Sequence, residues 1–324
     1  MDRKTSYSVI IRTLTGGPEY GRLLKSLDAQ TVRPEHIYIV QPHGFAPPKE
    51  QLGYEEYIHT DKGMWSQRIF GMEYCFAQPG HSEYLLASDD DIEFGSTFAE
   101  DLLKTAEEYS CDTLVPIQNY KAGFLRNLYS GILGERTENR TSRYKVSMKR
   151  NGRFSVNNHL TANVNPIQTA PFACFLMRTD ITPQLNLRDE LWLDETRYAV
   201  PDDQVFFYKS HLSGLRNYCC KTPVFTHLDG KAGVTEMQRV LDAKYSSTRN
   251  LIIFWRKFII PQQTTFLSKI YTTACFRYFL LVNTIPLILK GIKKFDFNLY
   301  KIYRKGIKDG FSYPVKPFVK KSER

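Results

Sequence analysis

Across the first 120 residues, short apolar runs and amphipathic stretches take turns, and this alternation narrows the fold more than anything else in the chain. Residues 7–11, 36–40, 83–87 and 113–117 read as strands; residues 18–29, 64–77 and 97–109 read as helices. Strands alternating with helices predict an α/β fold with a mostly parallel sheet covered on both faces. Pro18 follows Gly16-Gly17 and suits a first helical turn. With 324 residues, 42% of them apolar, there is material for one large domain or two ordinary ones.

After residue 120 the pattern changes. Residues 120–166 are polar and rich in Asn, Arg and Ser, with a hairpin predicted where 145–150 and 153–157 flank Asn151-Gly152. Residues 172–177 form a further short apolar run. Pro201-Asp202-Asp203 opens a helix to about Leu212, stopped by Gly214. A strand over 217–225 precedes His227, and from Thr235 the pattern is mainly helical. The six cysteines include no CxxC pair and no zinc-type spacing, which fits reduced, buried thiols in a cytosolic protein. Cys219 and Cys220, adjacent in a strand, are expected on opposite faces.

The net charge of +10 is concentrated at one end. From Leu251 to Arg324 there are 15 Lys and Arg against 3 Asp and Glu, whereas the first 250 residues hold 29 against 31. A basic nucleic-acid-binding core is therefore not expected, and nucleic acid is not the expected partner. Within the tail, residues 278–289 carry no charge. As a helix they would run about 18 Å, short of a hydrocarbon core of roughly 30 Å, and Pro286 is expected to kink or end it. Arg277, Lys290, Lys293 and Lys294 flank the run, so contact with an anionic membrane surface is expected. The plain alternative is a helix packed on the body with a solvated basic face.

Four clusters carry chemistry. Asp89-Asp90-Asp91 follows the apolar run Tyr84-Leu85-Leu86-Ala87, which puts three carboxylates at the C-terminal end of a buried strand, where open α/β sheets bind ligands. Adjacent carboxylates need a counter-charge, and a hard divalent cation supplies one; otherwise they form a solvated turn. Lys62-Gly63 with Arg68, at the start of a helix, suits a phosphate, or is an ordinary basic face. Asp202 and Asp203 divide between an N-cap and a general base. His227 is either structural or an added metal ligand.

In order, these segments resemble family 2 (GT2) glycosyltransferases of the GT-A fold, of the bacterial polysaccharide type. Ser8-Val9-Ile10-Ile11-Arg12-Thr13 is similar to the family's first, nucleotide-contacting strand, and residues 24–31 to its "SL-x-x-Q-T" helix end. Gly63 through Gly71 resembles its glycine–arginine segment, Asp89-Asp90-Asp91 its DxD motif, Pro201-Asp202-Asp203-Gln204 its "ED" motif, and Arg249-Asn250 a C-terminal helix. The resemblance implies an inverting, hexosyltransferase-type enzyme of cell-surface polysaccharide synthesis. The donor implied is a nucleotide-sugar, UDP-linked, and the acceptor a glycan or lipid-linked glycan. The resemblance also implies Mn²⁺ or Mg²⁺ on Asp91, Asp89 and His227. Arg12, Thr13, Gln41, Lys62, Gly63, Arg68, Asp89 and Asp90 would meet the donor, with Gln41 where the family often has an acidic residue facing uracil. Asp203, or else Asp202, would be the base. The halves would be residues 1–120 for the donor and 121–234 for acceptor and base, with 235–324 a basic helical extension. The location implied is cytoplasmic, peripheral at the inner face of the cell membrane. Two rivals stand beside this reading: a sugar-nucleotide nucleotidyltransferase, for which Thr13-Leu14-Thr15-Gly16-Gly17 lacks a basic residue, and a non-catalytic nucleotide-sugar or glycan-binding module.

Overall fold

The computed structural model describes residues 5–117, 131–132, 134, 137–171, 173–228 and 236–320. The predicted strands and helices of the first 120 residues form as β1 (Tyr7–Arg12), α1 (Pro18–Asp28), β2 (Ile37–Pro42), α2 (Met64–Ala77), β4 (Tyr84–Ser88), α3 (Phe98–Glu108) and β6 (Thr113–Pro116). Two strands have no clear signal in the sequence: β3 (Glu56–Thr60), half exposed, and β5 (Ile92–Phe94), only three residues long. The Asn151-Gly152 hairpin joins β8 (Val146–Met148) to β9 (Phe154–Val156), with β7 (Thr137–Glu138) alongside; Gly152 takes φ 76°, the left-handed conformation such a turn demands. Then come β10 (Val164–Pro166), β11 (Cys174–Arg178), α4 (Asp202–Leu212), β12 (Asn217–Cys220) and β13 (Phe225–His227). The single strand expected over 217–225 is split at Thr222-Pro223, because proline cannot donate to a ladder. Phe172, the expected start of the strand now at β11, lies outside the described residues, as do 120–130, 133, 135 and 136 of the irregular segment.

One eight-stranded sheet, in the order β10-β12-β6-β11-β4-β1-β2-β3, crosses the expected boundary at residue 120. Six strands run parallel to one another; β11 and β10 oppose them. Alternation along each strand feeds two cores. Ile10, Val40, Leu85 and Phe175 face α2, α4 and the C-terminal helix α5 (Met237–Phe254), while Val9, Ile11, Leu86 and Leu176 face α1 and α3. In α1 the buried apolar side chains are Tyr20, Leu23, Leu24 and Leu27, the spacing of a one-faced helix. Cys219 and Cys220 fall in different cores, as strand geometry requires, and all six cysteines are free thiols.

The tail departs from expectation. Residues 266–294 make one helix, α6 (Phe266–Lys294), that passes straight through Pro286, and α7 (Asn298–Ser312) folds back against α5. A proline costs its helix one hydrogen bond and a local clash. Just upstream, Asn283 Nδ2 and Thr284 Oγ1 donate to the carbonyls of Phe279 and Leu280.

Candidate active site

The β1–β4 ladder sets Ile11 opposite Ser88, so the next residues leave the sheet in pairs. Their side chains meet accordingly. Arg12 Nε and Nη2 donate to Asp89 Oδ1 at 3.0 and 2.9 Å, and Thr13 Oγ1 donates to Asp90 Oδ2 at 2.5 Å. Burial holds the Asp90 carboxyl above its usual range, against the pull of the Thr13 hydroxyl.

Helix α4 brings the second acidic pair to the same place. Arg68 Nη1 donates to Asp202 Oδ2 at 2.7 Å, Arg12 Nη1 lies 3.8 Å from that oxygen, and Arg68 Nη2 lies 3.6 Å from Asp89 Oδ1. Two guanidinium groups and two carboxylates thus form a charge-balanced quartet that ties β1, α2, β4 and α4 together. Burial alone would disfavour the charge on Arg12; Asp89 and Asp202 outweigh it and raise its pKa. Asp203, half-buried at the start of α4, adds to the field at both guanidinium groups. On the other side, the β13–β5 ladder sets His227 opposite Ile92. His227 Nε2 lies 3.7 Å from Asp91 Oδ1, and the Leu228 amide donates to the Asp91 carbonyl at 2.7 Å.

Beyond these strand ends opens a cleft of about 950 Å³, lined by residues 12–16, 62–64, 89–91 and 194–198 with Gln67 and Arg239. The 194–198 wall carries no motif that marks it in the sequence. Helix α5 fixes it: Arg249 Nη1 donates to the Trp192 carbonyl at 3.1 Å, Arg249 also pairs with Glu195, and Asn250 Nδ2 donates to Thr196 Oγ1 at 3.1 Å. Trp192 itself is core, its indole N–H donating to Glu190 Oε2 at 2.7 Å.

Three roles expected from the sequence change in this setting. The start of α2, expected to receive a phosphate, already holds an anion of the chain: the Trp65 and Ser66 amides donate to the Asp194 carboxylate at 3.0 and 2.6 Å. Gly63 is there for close approach, since a Cβ would sit 2.3 Å from Asp194 Oδ2. Lys62 remains exposed at the cleft. Arg68, expected on the nucleotide, is buried behind Arg12 and held by carboxylates. Gln41, expected at a base edge, is fully buried; its amide N–H groups donate to the carbonyls of Leu14 and Ala46 at 3.0 and 3.3 Å, although its Oε1 has no hydrogen-bond partner among the described residues. Gly63→Ala is expected to cost about 1–2 kcal/mol through loss of the Asp194 cap, measured by urea unfolding. Asp194→Ala should cost a similar amount, and the double variant little more than either.

The expected three-ligand metal set is also altered. Asp89 turns to the arginines, and no group of three or more His, Cys, Asp or Glu gathers as a metal cluster among the described residues. Asp91 and His227 remain paired. Two protein donors suit a cation that shares its remaining positions with water and substrate phosphate. The charge of the cleft agrees: Asp89, Asp90, Asp91, Asp194 and Glu195 line it against Arg12, Lys62, Arg197 and Arg239, so an incoming diphosphate adds negative charge to an already acidic site.

Solved structures share this architecture. Residues 1–349 of S. aureus TarS, in complex with UDP-GlcNAc, are 14% identical with a TM-score of 0.52, covering 94% of this chain and 80% of that one. GalNAc-T7 with UDP, GalNAc and Mn²⁺ is 12% identical with a TM-score of 0.53, covering 86% and 56%. The fold is GT-A. This chain spans 56% of the GalNAc-T7 structure and 43% of a longer TarS structure, so the GT-A likeness concerns part of those proteins. No protein-family profile and no curated protein matches the chain.

Proposed function

We propose that this chain transfers a sugar, with inversion, from a UDP-linked donor to a hydroxyl of a glycan or lipid-linked acceptor. The observation that carries the reading is the convergence of Arg12, Thr13 and the Asp89–Asp91 triplet with the start of α4 at one rim of the sheet, beside a cleft of about 950 Å³. Its size suits a nucleotide-sugar. The two GT-A structures, one holding UDP-GlcNAc and the other UDP, GalNAc and Mn²⁺, support the same donor class.

Asp91 and His227 would hold Mn²⁺ or Mg²⁺, which when bound acts as a Lewis acid on a diphosphate leaving group. Lys62 contributes fixed positive charge at the cleft. Asp89 holds Arg12 in place, and Asp90 fixes the Thr13 hydroxyl, which also accepts from the Gly16 amide at 3.0 Å and so shapes the loop after β1. Asp202 is engaged with Arg68 and Arg12 and serves as a positioning residue. Asp203 is the general base: it takes the proton from the acceptor hydroxyl as that oxygen attacks the anomeric carbon from the face opposite the departing diphosphate. Asp203 stands in the first turn of α4, next to the buried Asp202.

A thermal-shift series tests the donor and the metal together. UDP-sugars with Mn²⁺ are expected to raise the melting temperature, UDP-sugars with EDTA to raise it much less, and His227→Ala to remove most of the metal-dependent part. No shift with any UDP-sugar, with or without metal, would overturn the donor assignment.

A further inference from the structure

Among the described residues, helix α6 is exposed along one side. Leu267, Ile270, Leu281, Ile285, Leu289 and Ile292 are between 49 and 76% exposed, and at about 100° per residue they fall within one wedge of the helix. Tyr271 and Tyr278 lie on the same side, 60 and 52% exposed. Of all the described helices, this is the one long and apolar enough to cross a bilayer. Its other side forbids that. Thr272, Phe276 and Phe279 are buried against the body, Phe276 stacked on Trp255 at 4.2 Å, and Arg150 Nη1 donates to Thr272 Oγ1 at 2.8 Å. Spanning would strip away this core contact and carry Arg277, inside α6, into hydrocarbon. A helix pinned on one side and apolar on the other meets a membrane lying flat.

The charges select the occupant. On the same wheel the exposed Arg277 and Lys293 of α6 flank the apolar wedge, whereas the exposed Lys269, Lys290 and Lys294 fall on the side of the buried residues; Lys301, Arg304, Lys305 and Lys308 are on α7 beside it. A second copy docked on the apolar stripe would bring two such sets of cations together, whereas anionic headgroups would neutralise them. Exposed tyrosines suit the interfacial layer, where an apolar ring and a polar tip are both accommodated.

We propose that α6 lies in the headgroup plane of an anionic bilayer, with its exposed stripe among the upper acyl chains and the flanking Arg277 and Lys293 against lipid phosphates. The inference goes beyond the sugar-transfer reading and does not rest on it. The test is co-sedimentation of the full-length protein with vesicles of phosphatidylcholine alone and of phosphatidylcholine with one-third phosphatidylserine. The wild type is expected to pellet with the anionic vesicles, less so as salt rises. Leu281→Glu with Ile285→Glu, both at exposed positions, should lower binding at least a hundred-fold. Arg277→Glu with Lys293→Glu should lower it at least ten-fold on anionic vesicles and leave little preference between the two lipids. The inference is overturned if the wild type stays in the supernatant with both vesicle types, or if neither variant weakens binding. It is equally overturned if sedimentation velocity shows a dimer that the Leu281/Ile285 variant dissociates while vesicles bind nothing. UDP-sugar binding in solution, measured on the same samples, keeps a failure here separate from a failure of the donor assignment.

Discussion

Asp203→Asn protein is expected to bind donor as the wild type does and to turn over about 10²–10⁴-fold more slowly, the usual worth of a positioned base. The substitution keeps the size of the side chain and leaves the Arg12–Arg68–Asp89–Asp202 quartet intact, so the melting temperature and the donor-induced shift should stay close to wild type. Asp202→Asn should behave differently. It takes from Arg68, 4% exposed, the carboxylate charge that lies 2.7 Å from its guanidinium, so stability and donor binding should fall together with activity. Side-by-side steady-state kinetics and calorimetry on the two variants separate the base from the residue that positions it. Near-wild-type turnover in Asp203→Asn would sink the assignment, and a loss of donor binding in that variant would show that residue 203 supports the cleft rather than the chemistry.

The order of elements in the first 120 residues is legible because both periodicities are strong there. The fully buried run at β4 ends at Ser88, which sends the next three carboxylates out over the rim. Proximity of His227 to Asp91 is legible only as a resemblance. It is produced by β13 pairing with β5, a three-residue strand too short to leave a periodic signal. The roles within the site are harder to read. A glycine before a helix with a lysine beside it fits an anion site equally well whether the anion comes from a ligand or from Asp194, which is 129 residues away from Trp65 in sequence. Arg68 and Gln41 are of a type that often meets ligands, yet long-range packing buries both. The continuity of α6 is hidden for a local reason: the longest uncharged run starts only at Tyr278, although apolar residues continue the same face back to Leu267.

The largest effect on stability is expected outside the cleft lining, at Glu190. Its carboxylate is fully buried between two ammonium groups, Lys209 Nζ at 2.6 Å from Oε1 and Lys257 Nζ at 2.7 Å from Oε2, and it also accepts from the Trp192 indole. The carbonyls of Asn186 and Asp189 complete the cage by accepting from the same two lysines at 2.7 and 2.9 Å. Each lysine comes from a different helical segment, so the carboxylate clamps α4 and the residues after α5 onto the 187–193 turn that leads into the cleft wall. Glu190→Gln keeps the shape and removes the charge, leaving two buried cations close together. Breaking a buried pair in this way costs about 3–5 kcal/mol, which should appear as a drop in melting temperature on the order of 10 °C. The pH dependence gives the cause away. Burial already pushes the Lys209 ammonium below its ordinary pKa, and loss of Glu190 pushes it further. Between that lowered folded value and the unfolded one the unfolded chain binds more protons, so stability of the variant rises with pH through that window. Its deficit relative to wild type should therefore be smaller at about pH 9.5 than at about pH 7. A deficit that does not change with pH would mean that lost packing, and not stranded charge, is responsible. Replacing all three groups with apolar side chains of similar volume, Glu190→Leu with Lys209→Met and Lys257→Met, should cost less than Glu190→Gln alone, because no ammonium is then left without its counter-ion.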